Sequence, residues 1–499
     1  MFPTPVPRLT PNSYAYERTP LIKPTGFREY DARWLFGEEL NLMGMQALGM
    51  GIATYARETG APTTIVTGHD YRSYSGSLKL ALVSGLLAGG MKVLDIGLCI
   101  SPMAYFAQFE LDAACVAMVT ASHNDNGWTG VKIGVERPVT LEPAQMARLK
   151  EIVLSSAFAL PGGGSYHYVH DLPERYLTRL LDRPQLARRL KVVAACGNGT
   201  AGAFAPRALE ALGCEVVPLD CDLDFTFPRH NPNPEDMKML HAIRDAVLES
   251  GADIGFGFDG DGDRCGVVDN EGVEIFADKI GVLLARQLSA VHPSALFIAD
   301  VKSTSLYATD PVLKANGARV EYWKTGHSYM KRRVAERRAL AGFEKSGHYF
   351  FSQPLGLGYD DGLLSAFAVC DVLEANPQCS LAELRRQLPT TWSTPTMSAR
   401  CADEEKYGVV ERTLAEFKRM MTAQEAIAGE TIRDIVTVNG ARVITSDGTW
   451  GLVRASSNMP ELVVVIESPV SEERMHAMFT AVDGVLRRDK AVGSYNQAI

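Results

Sequence analysis

Short β-branched runs alternate with helical patterns over most of this chain, and each run leads into a polar, glycine-containing loop. The runs include TTIVTGHD, ACVAMVTASHN, KVVAACGNGTAG, ADIGFGFDGDGDR, ALFIADVKST, ARVEYWKTGHSYM and LAGFEKSGHYFF. Patterns typical of helices lie between them, such as GSLKLALVSGLLAGG and EDMKMLHAIRDAVLES. Strands that alternate with helices predict crossover units and largely parallel, mixed sheets. Ligands bind at the carboxyl ends of such strands, where nearly all the unusual polar residues of this chain fall.

The C-terminal part has a different pattern. RVITSDGTWGLVRASSNMPELVVVIES predicts three strands, with a hairpin turn at Asp447-Gly448, and a helix is predicted from about Ser471. This is the pattern of an α+β module with mostly antiparallel pairing. Turn-rich segments near Pro161–Gly164, Asp269–Gly272 and Asn376–Pro395 mark three boundaries. We therefore predict an α/β protein of four domains, at residues 1–165, 166–272, 273–385 and 386–499.

Composition narrows the class of protein. The 499 residues are 46% hydrophobic and 22% charged, with a net charge of −9, which disfavours nucleic acid as a partner but allows a small anionic substrate. Nine scattered cysteines without CxxC spacing indicate reduced thiols and argue against a zinc site. The N-terminus has no apolar run, so we expect a cytoplasmic protein with no membrane partner. Its prolines predict an extended arm over the first ~25 residues.

The first chemical candidate is Ser122, which follows a predicted strand in the motif Thr120-Ala-Ser-His-Asn124. A strand-end turn with a helix-capping serine is the simpler interpretation of this motif. A nucleophile is the alternative, although the G-x-S-x-G elbow of serine hydrolases is absent. Lys132 follows ten residues later and could stabilise the charge on a transferring phosphoryl group.

Three carboxylates at a spacing of two, Asp259, Asp261 and Asp263, follow an apolar strand and are separated by glycines. Such oxygens suit Mg²⁺ or Ca²⁺. A calcium EF-hand is excluded because its sixth position is Arg264 instead of glycine and its twelfth is Asn270 instead of glutamate. We therefore predict a metal loop, with Mg²⁺ favoured, over a solvated acidic turn.

Two further loops offer polar groups for a ligand. Glu344 and Ser346 could grip neighbouring sugar hydroxyls, and His348 could act as a general acid or base. Arg454 and the hydroxyl and amide groups that follow it resemble a phosphate cradle. Either loop taken alone is also consistent with an ordinary polar turn.

Taken in order, these motifs resemble the α-D-phosphohexomutase superfamily, and within it the bacterial phosphomannomutase/phosphoglucomutase group. The likeness runs from Phe27 to about Ser468. Its anchors are FREYDAR, TASHN, GVK, GNGTAG, FDGDGDR, DVKST, WKTGHS, EKSGHYFF and RASSNMP. The resemblance implies four domains around a central cleft. The first carries the phosphoserine, and the others bind the metal, the sugar and the phosphate in that order. It also implies Mg²⁺ and a hexose 1,6-bisphosphate intermediate that acts as activator.

The resemblance assigns a role to each matching residue. Ser122 would be the phosphoserine and, with Asp259, Asp261 and Asp263, a metal ligand. Groups around the transferring phosphoryl would be Tyr30, Arg33, Lys132, Arg264 and His348. The sugar would be bound by Lys302, His327, Glu344 and Ser346. The phosphate that is not transferred would be held by Arg454, Ser456, Ser457 and Asn458.

The expected activity is the interconversion of hexose 6-phosphate and hexose 1-phosphate, with mannose and glucose as the sugars. The E-x-S-G-H form of the sugar loop resembles the corresponding loop of enzymes that accept both mannose and glucose phosphates. Phosphoglucosamine mutase, a metal-dependent sugar phosphatase and a non-catalytic sugar-phosphate-binding relative are the alternatives, and the chain is expected to be a monomer or homodimer. Asp125 and Lys345 stand where the family usually has proline and a neutral residue.

Overall fold

The computed structural model describes residues 2–497. The chain divides into two compact units. The first comprises the residues up to Glu274 together with Gly347–Leu381, and the second comprises Ile275–Ser346 and the residues from Ala382 onward. Within residues 2–497, no helix combines the length and the apolar character needed to cross a membrane.

The first unit begins with a mixed six-stranded sheet in the order β1-β5-β4-β2-β3-β6. Its strands are β1 (Ala32–Leu35), β2 (Thr64–His69), β3 (Lys92–Leu98), β4 (Cys115–Val119), β5 (Trp128–Gly134) and β6 (Ser165–Tyr168). Its helices are α1 (Tyr14–Arg18), α2 (Leu42–Glu58), α3 (Ser75–Ala88), α4 (Ser101–Glu110), α5 (Pro143–Ser155) and α6 (Leu172–Leu180), with a 3₁₀ turn at Pro24–Gly26. The strands β2, β3, β4 and β6 run parallel, whereas β5 pairs antiparallel with both β4 and β1.

A second, five-stranded sheet has the order β11-β10-β9-β7-β8. The strands here are β7 (Lys191–Ala195), β8 (Glu215–Leu219), β9 (Ile254–Phe258), β10 (Cys265–Asp269) and the two-residue β11 (Glu274–Ile275). The helical segments are the 3₁₀ turn Thr200–Ala203, α7 (Ala205–Leu212) and α8 (Met237–Ser250). β9 pairs parallel with β7 and antiparallel with β10, so this sheet is also mixed.

In the second unit, β12 (Leu296–Asp300) lies between β13 (Arg319–Trp323) and β14 (Ala341–Phe343), and both neighbours are parallel to it. The helices of this part are α9 (Ala277–Val291), α10 (Leu306–Thr309), α11 (Pro311–Ala315) and α12 (His327–Arg337). The chain then returns to the first unit with β15 (Tyr349–Phe351) and α13 (Gly362–Ala375), followed by α14 (Leu381–Arg386).

The C-terminal part of the second unit is an antiparallel sheet covered by two long helices. Its strands are β16 (Trp392–Ser393), β17 (Met397–Arg400), β18 (Ala426–Ile427), β19 (Glu430–Val436), β20 (Ala441–Thr445), β21 (Trp450–Ala455) and β22 (Glu461–Ser468). Its helices are α15 (Lys406–Thr422) and α16 (Glu472–Leu486), and Ser471 caps α16. The predicted turn at Asp447-Gly448 is confirmed, since Asp447 accepts the Thr449 N–H and Gly448 has a φ of +88°.

The sequence predictions of mixed sheets and of an antiparallel C-terminal module are therefore confirmed. The prediction of a wholly extended N-terminal arm is wrong, because α1 forms within it. Ser13 accepts a hydrogen bond from the Tyr16 N–H and so caps this short helix, and the residues that follow contain no proline before Pro20. The first, the second and the C-terminal sheet each pack apolar side chains into a core of their own.

Candidate active site

Ser122 lies in the loop after β4, in the first unit, and is 4% exposed. Its φ of +50° places a non-glycine residue in the left-handed region, which costs about 1–3 kcal/mol and persists only where the surroundings hold it. The Thr120 hydroxyl accepts the Ser122 N–H at 2.9 Å, and Arg72 donates to the Ser122 carbonyl at 3.0 Å. The next element after Ser122 is the strand β5 and not a helix, so the helix-capping interpretation is wrong.

The Ser122 hydroxyl reaches the loop that follows β9. Its Oγ donates to Asp259 Oδ2 at 2.8 Å. Gly260 permits this contact, because a Cβ atom at this position would lie 2.3 Å from the Ser122 carbonyl oxygen. Gly260 therefore allows the Ser122 loop and the Asp259 loop to come into contact.

The three predicted metal ligands converge in this loop. Asp259, Asp261 and Asp263 are fully buried, and one oxygen of each lies within 4.8 Å of the others. Burial, together with the charges of Asp263 and Asp261, raises the pKa of Asp259 well above its ordinary value. Three buried carboxylates this close are stabilised by protonation or by positive charge beside them.

Lys132 on β5 supplies part of that charge. Its Nζ lies 2.7 Å from Asp261 and also contacts Asp263, while Ser101 donates to Asp261 at 2.6 Å. Burial alone would lower the pKa of Lys132, but the two carboxylates raise it well above its ordinary value. Lys132 is therefore a fixed cation within the carboxylate cluster.

A divalent cation fits the remaining donors of the cluster. Asp261 Oδ1 is buried and accepts no hydrogen bond from residues 2–497, although Lys132 and Ser101 satisfy the other oxygen of the same carboxylate. Carboxylate oxygens of this kind are the ligands that Mg²⁺ and Ca²⁺ take.

His348 and Arg264 lie beside the cluster, in the same unit. His348 Nε2 is 3.3 Å from Asp263 and 3.8 Å from Asp360, and Arg264 Nε lies 3.3 Å from the same ring nitrogen. This nitrogen can accept from Arg264 when the ring is neutral and pair with Asp263 when the ring is protonated. His348 is therefore placed to take up and release a proton.

Two residues of the FREYDAR motif lie in the same unit. Arg33 donates from its guanidinium to the Thr120 carbonyl and pairs with Asp31 at 3.2 Å, so it is attached to the Ser122 loop. Tyr30 is buried, with 4% exposure. His123 borders Ser122, and burial and the charge of Arg264 keep its pKa well below the ordinary value.

The predicted sugar-binding residues gather at the carboxyl ends of β12, β13 and β14, in the second unit. Glu344 Oε1 accepts the Gly326 N–H at 2.5 Å, which fixes the loop before His327 against the loop of Glu344. The set Lys302, His327, Glu344 and Ser346 is buried, each member below 8% exposure. Lys345 is instead packed over the ring of Phe276, with Nζ 3.5 Å from Asp278.

The predicted phosphate cradle follows β21 in the second unit. Arg454 donates through Nε to Asn439 at 2.8 Å and through Nη2 to the Ser457 hydroxyl at 3.2 Å. Lys406 donates to the carbonyls of Ser456 and Met459 at 2.6 and 3.0 Å and so links the two ends of the loop. Ser456 and Ser457 are buried, and Asn458 completes the loop.

Sequence reasoning missed several residues that hold these loops. Arg72 contacts Ser122, Ser101 contacts Asp261, and Asp360 lies beside His348. Lys406 and Asn439 contact the predicted phosphate cradle. Arg72 follows the carboxyl end of β2 and Ser101 begins α4, so their places at strand ends were the available signal. No comparable sequence signal marks Asp360, Lys406 or Asn439.

A buried serine hydroxyl on an aspartate, three carboxylates suited to a cation, and fixed lysine and arginine charges define the class of metal-assisted phosphoryl-transfer centres. Four family models match the chain in order. These are the phosphoglucomutase/phosphomannomutase alpha/beta/alpha domains I, II and III and the C-terminal domain, at residues 24–159, 167–272, 276–392 and 398–485. The chain therefore belongs to the phosphoglucomutase/phosphomannomutase family, which confirms its four-domain organisation.

Relatives match along almost their full length. Phosphomannomutase/phosphoglucomutase of Pseudomonas aeruginosa is 35% identical over 456 residues, which is 91% of this chain and 94% of the relative. A probable phosphoglucosamine mutase of Methanothermobacter thermautotrophicus is 30% identical over 458 residues, covering 90% and 95%. The crystal structure of a phosphoglucomutase/phosphomannomutase family protein from Burkholderia thailandensis superimposes with a TM-score of 0.83 at 29% identity, covering 96% of this chain and all of that one.

Proposed function

We propose that this enzyme interconverts hexose 6-phosphate and hexose 1-phosphate, with mannose and glucose as sugars, through phosphoserine 122 and a hexose 1,6-bisphosphate. The observation that carries the proposal is the buried Ser122 hydroxyl, 2.8 Å from Asp259, beside the cations Lys132 and Arg264. Membership of the family supports the class of reaction. The domains predicted at 1–165, 166–272, 273–385 and 386–499 would contribute the serine, the metal loop, the sugar loop and the phosphate cradle.

In the metal loop, Asp259, Asp261 and Asp263 would hold Mg²⁺ together with the phosphate on Ser122. When bound, the cation would neutralise charge on the transferring phosphoryl group. Lys132, Arg264 and Arg33 add positive charge that is already in place before the reaction, so little reorganisation is needed.

In the first transfer, the bond between Ser122 Oγ and phosphorus breaks as a sugar hydroxyl oxygen forms a bond to the same phosphorus. His348 accepts the proton of that hydroxyl, and the Ser122 oxygen that leaves phosphorus takes up a proton, so that the serine hydroxyl is restored. The bisphosphate then turns end for end. In the second transfer its other phosphate returns to Ser122, the serine hydroxyl loses its proton, and the sugar oxygen that loses the phosphate takes one up.

The second unit would recognise the substrate in both orientations. Glu344 and Ser346 would bind the O3 and O4 hydroxyls, which both orientations present, and Lys302 and His327 would line the sugar site. The idle phosphate would be held by Arg454, Ser456, Ser457 and Asn458, and Tyr30 would border the transferring group. A sugar loop that grips O3 and O4 does not read the configuration at C2, which favours activity on both mannose and glucose phosphates.

The test compares turnover of mannose 1-phosphate, glucose 1-phosphate and glucosamine 1-phosphate with catalytic hexose 1,6-bisphosphate and Mg²⁺. Intact mass should show the gain of one phosphoryl group on incubation with the bisphosphate, and Ser122→Ala should abolish both the gain and the turnover. A clear preference for glucosamine 1-phosphate would assign the alternative substrate. Release of free phosphate without dependence on the bisphosphate would indicate a phosphatase.

A further inference from the structure

The turn between β19 and β20 packs directly on the predicted phosphate cradle. Gly440 in this turn has a φ of +98°, and a Cβ atom there would lie 2.7 Å from Arg454 Cβ and 2.3 Å from the Val453 carbonyl oxygen. Glycine is therefore required both for the backbone conformation and for the close approach. The turn is held against the backbone of Arg454, and its other central residue, Asn439, lies beside the guanidinium.

Asn439 joins two loops through one atom. Its Oδ1 accepts from Arg454 Nε at 2.8 Å and from the Thr325 backbone N–H at 3.3 Å. The first donor belongs to the phosphate cradle and the second to the loop that carries His327. An amide oxygen has two lone pairs, so both bonds can form together.

The connection continues to the sugar loop. Gly326, the residue after Thr325, donates its N–H to Glu344 Oε1 at 2.5 Å, and the Thr325 hydroxyl donates to Asp300 at 2.8 Å. Arg454 and Glu344 are thus joined by hydrogen bonds that pass through Asn439 and two consecutive backbone amides. All of these residues lie in the second unit.

We infer that Asn439 is a positioning residue that sets the separation between the phosphate cradle and the sugar loop. The inference rests on the proposed function, in which Arg454 binds the idle phosphate and Glu344 binds the sugar hydroxyls. A hexose phosphate has a fixed span between its phosphate and these hydroxyls. Both binding groups act together only when the protein holds them at the matching distance.

Asn439 acts on binding that is common to the ground state and the transition state, since the idle phosphate and the sugar hydroxyls do not react. Loss of such uniform binding raises KM and leaves kcat unchanged. Asn439→Ala should therefore raise KM about tenfold for both the 1-phosphate and the 6-phosphate, with kcat within about threefold of wild type. The final extent of Ser122 phosphorylation at saturating bisphosphate, read by intact mass, should be unchanged because Asn439 does not contact Ser122 or the groups around it.

Thr437→Ala is the matched control. Thr437 lies in the same turn, is exposed, and makes no side-chain hydrogen bond to any residue between 2 and 497. If Asn439→Ala fails to fold, Asn439→Ser replaces it, since a serine hydroxyl is too short to meet both donors. The affinity of the Ser122→Ala background for glucose 6-phosphate, measured by calorimetry with and without the Asn439 substitution, gives the same comparison without turnover.

A KM for Asn439→Ala within twofold of Thr437→Ala would overturn the inference. So would a fall in kcat at constant KM, or a loss of thermal stability that matches the loss of activity. Absence of hexose phosphate turnover in wild type and Thr437→Ala alike would instead contradict the proposed function, and the calorimetric comparison would then decide about Asn439 separately.

Discussion

Gly260 offers a sharp test of how closely the serine and metal loops must meet. It lies between Asp259 and Asp261 and has no positive φ, so alanine fits its backbone conformation. A Cβ atom there would lie 2.3 Å from the Ser122 carbonyl oxygen and 3.3 Å from Pro232 Cγ. Ordinary van der Waals contact begins near 3.4 Å, so Gly260→Ala must drive the two loops apart by about 1 Å.

That displacement acts on the reacting atoms. Ser122 Oγ donates to Asp259 at 2.8 Å, and a further 1 Å, approximately, would take the pair beyond hydrogen-bonding distance. A misplacement of about 1 Å costs on the order of 100-fold in rate, or about 2.7 kcal/mol of transition-state stabilisation. We therefore expect kcat/KM for glucose 1-phosphate to fall about 100-fold in Gly260→Ala, and phosphorylation of Ser122 by the bisphosphate to slow in parallel.

Gly484→Ala is the matched control, because no atom lies within 4 Å of a Cβ at Gly484, inside α16. This change should leave the kinetics unchanged and stabilise the helix by up to about 1 kcal/mol. Activity of Gly260→Ala within threefold of wild type would refute the argument that the approach of the two loops controls the chemistry. An equal loss of activity in Gly484→Ala would refute it as well.

Three other predictions concern buried charge. Burial raises the pKa of Asp361 to about 6 from 3.8, so its contribution to stability is full below pH 3.8 and is lost as the pH rises through about 6. Asp361→Asn should therefore gain up to about 3 kcal/mol of unfolding free energy relative to wild type between pH 4 and 7. Equal shifts in the thermal midpoints of the variant and the wild type over this range would contradict this prediction. Lys132→Met leaves Asp261 with one buried cation fewer, so kcat should fall at least about 100-fold and stability by about 3–5 kcal/mol, and excess Mg²⁺ should restore part of the melting temperature but not the rate. A variant that kept wild-type kcat would show that Lys132 is only structural. Arg442, which donates to the Val301 and Ser303 carbonyls at 2.9 and 3.0 Å, stacks on Trp450 at 3.7 Å; Arg442→Met should lower the unfolding free energy by about 2–3 kcal/mol and raise KM more than it lowers kcat, whereas unchanged denaturation and kinetics would count against a role in holding the Lys302 loop.

The elements that the sequence predicted well are those whose pattern is local. The strand before Asp259 and the helix from Ser471 depend on runs of a few residues, and both are confirmed. The helix α1 was missed because prolines dominate the composition of the N-terminal arm, while the helix itself depends on one cap, Ser13. Composition averages over a segment, whereas a cap acts at a single residue.

The same distinction separates the candidate reacting groups from the residues that hold them. Ser122 and the aspartates follow buried strands, and this position can be predicted from the sequence. Arg72 holds the Ser122 loop from 50 residues away, and Asn439 reaches Thr325 across 114 residues. The place of Arg72 after β2 indicates that it lies near a strand end, but the packing of elements distant in sequence decides which loop Arg72 or Asn439 contacts, and neither residue type nor spacing predicts that contact. A left-handed serine persists only where such distant partners hold it, so the site requires contacts that sequence patterns do not reveal.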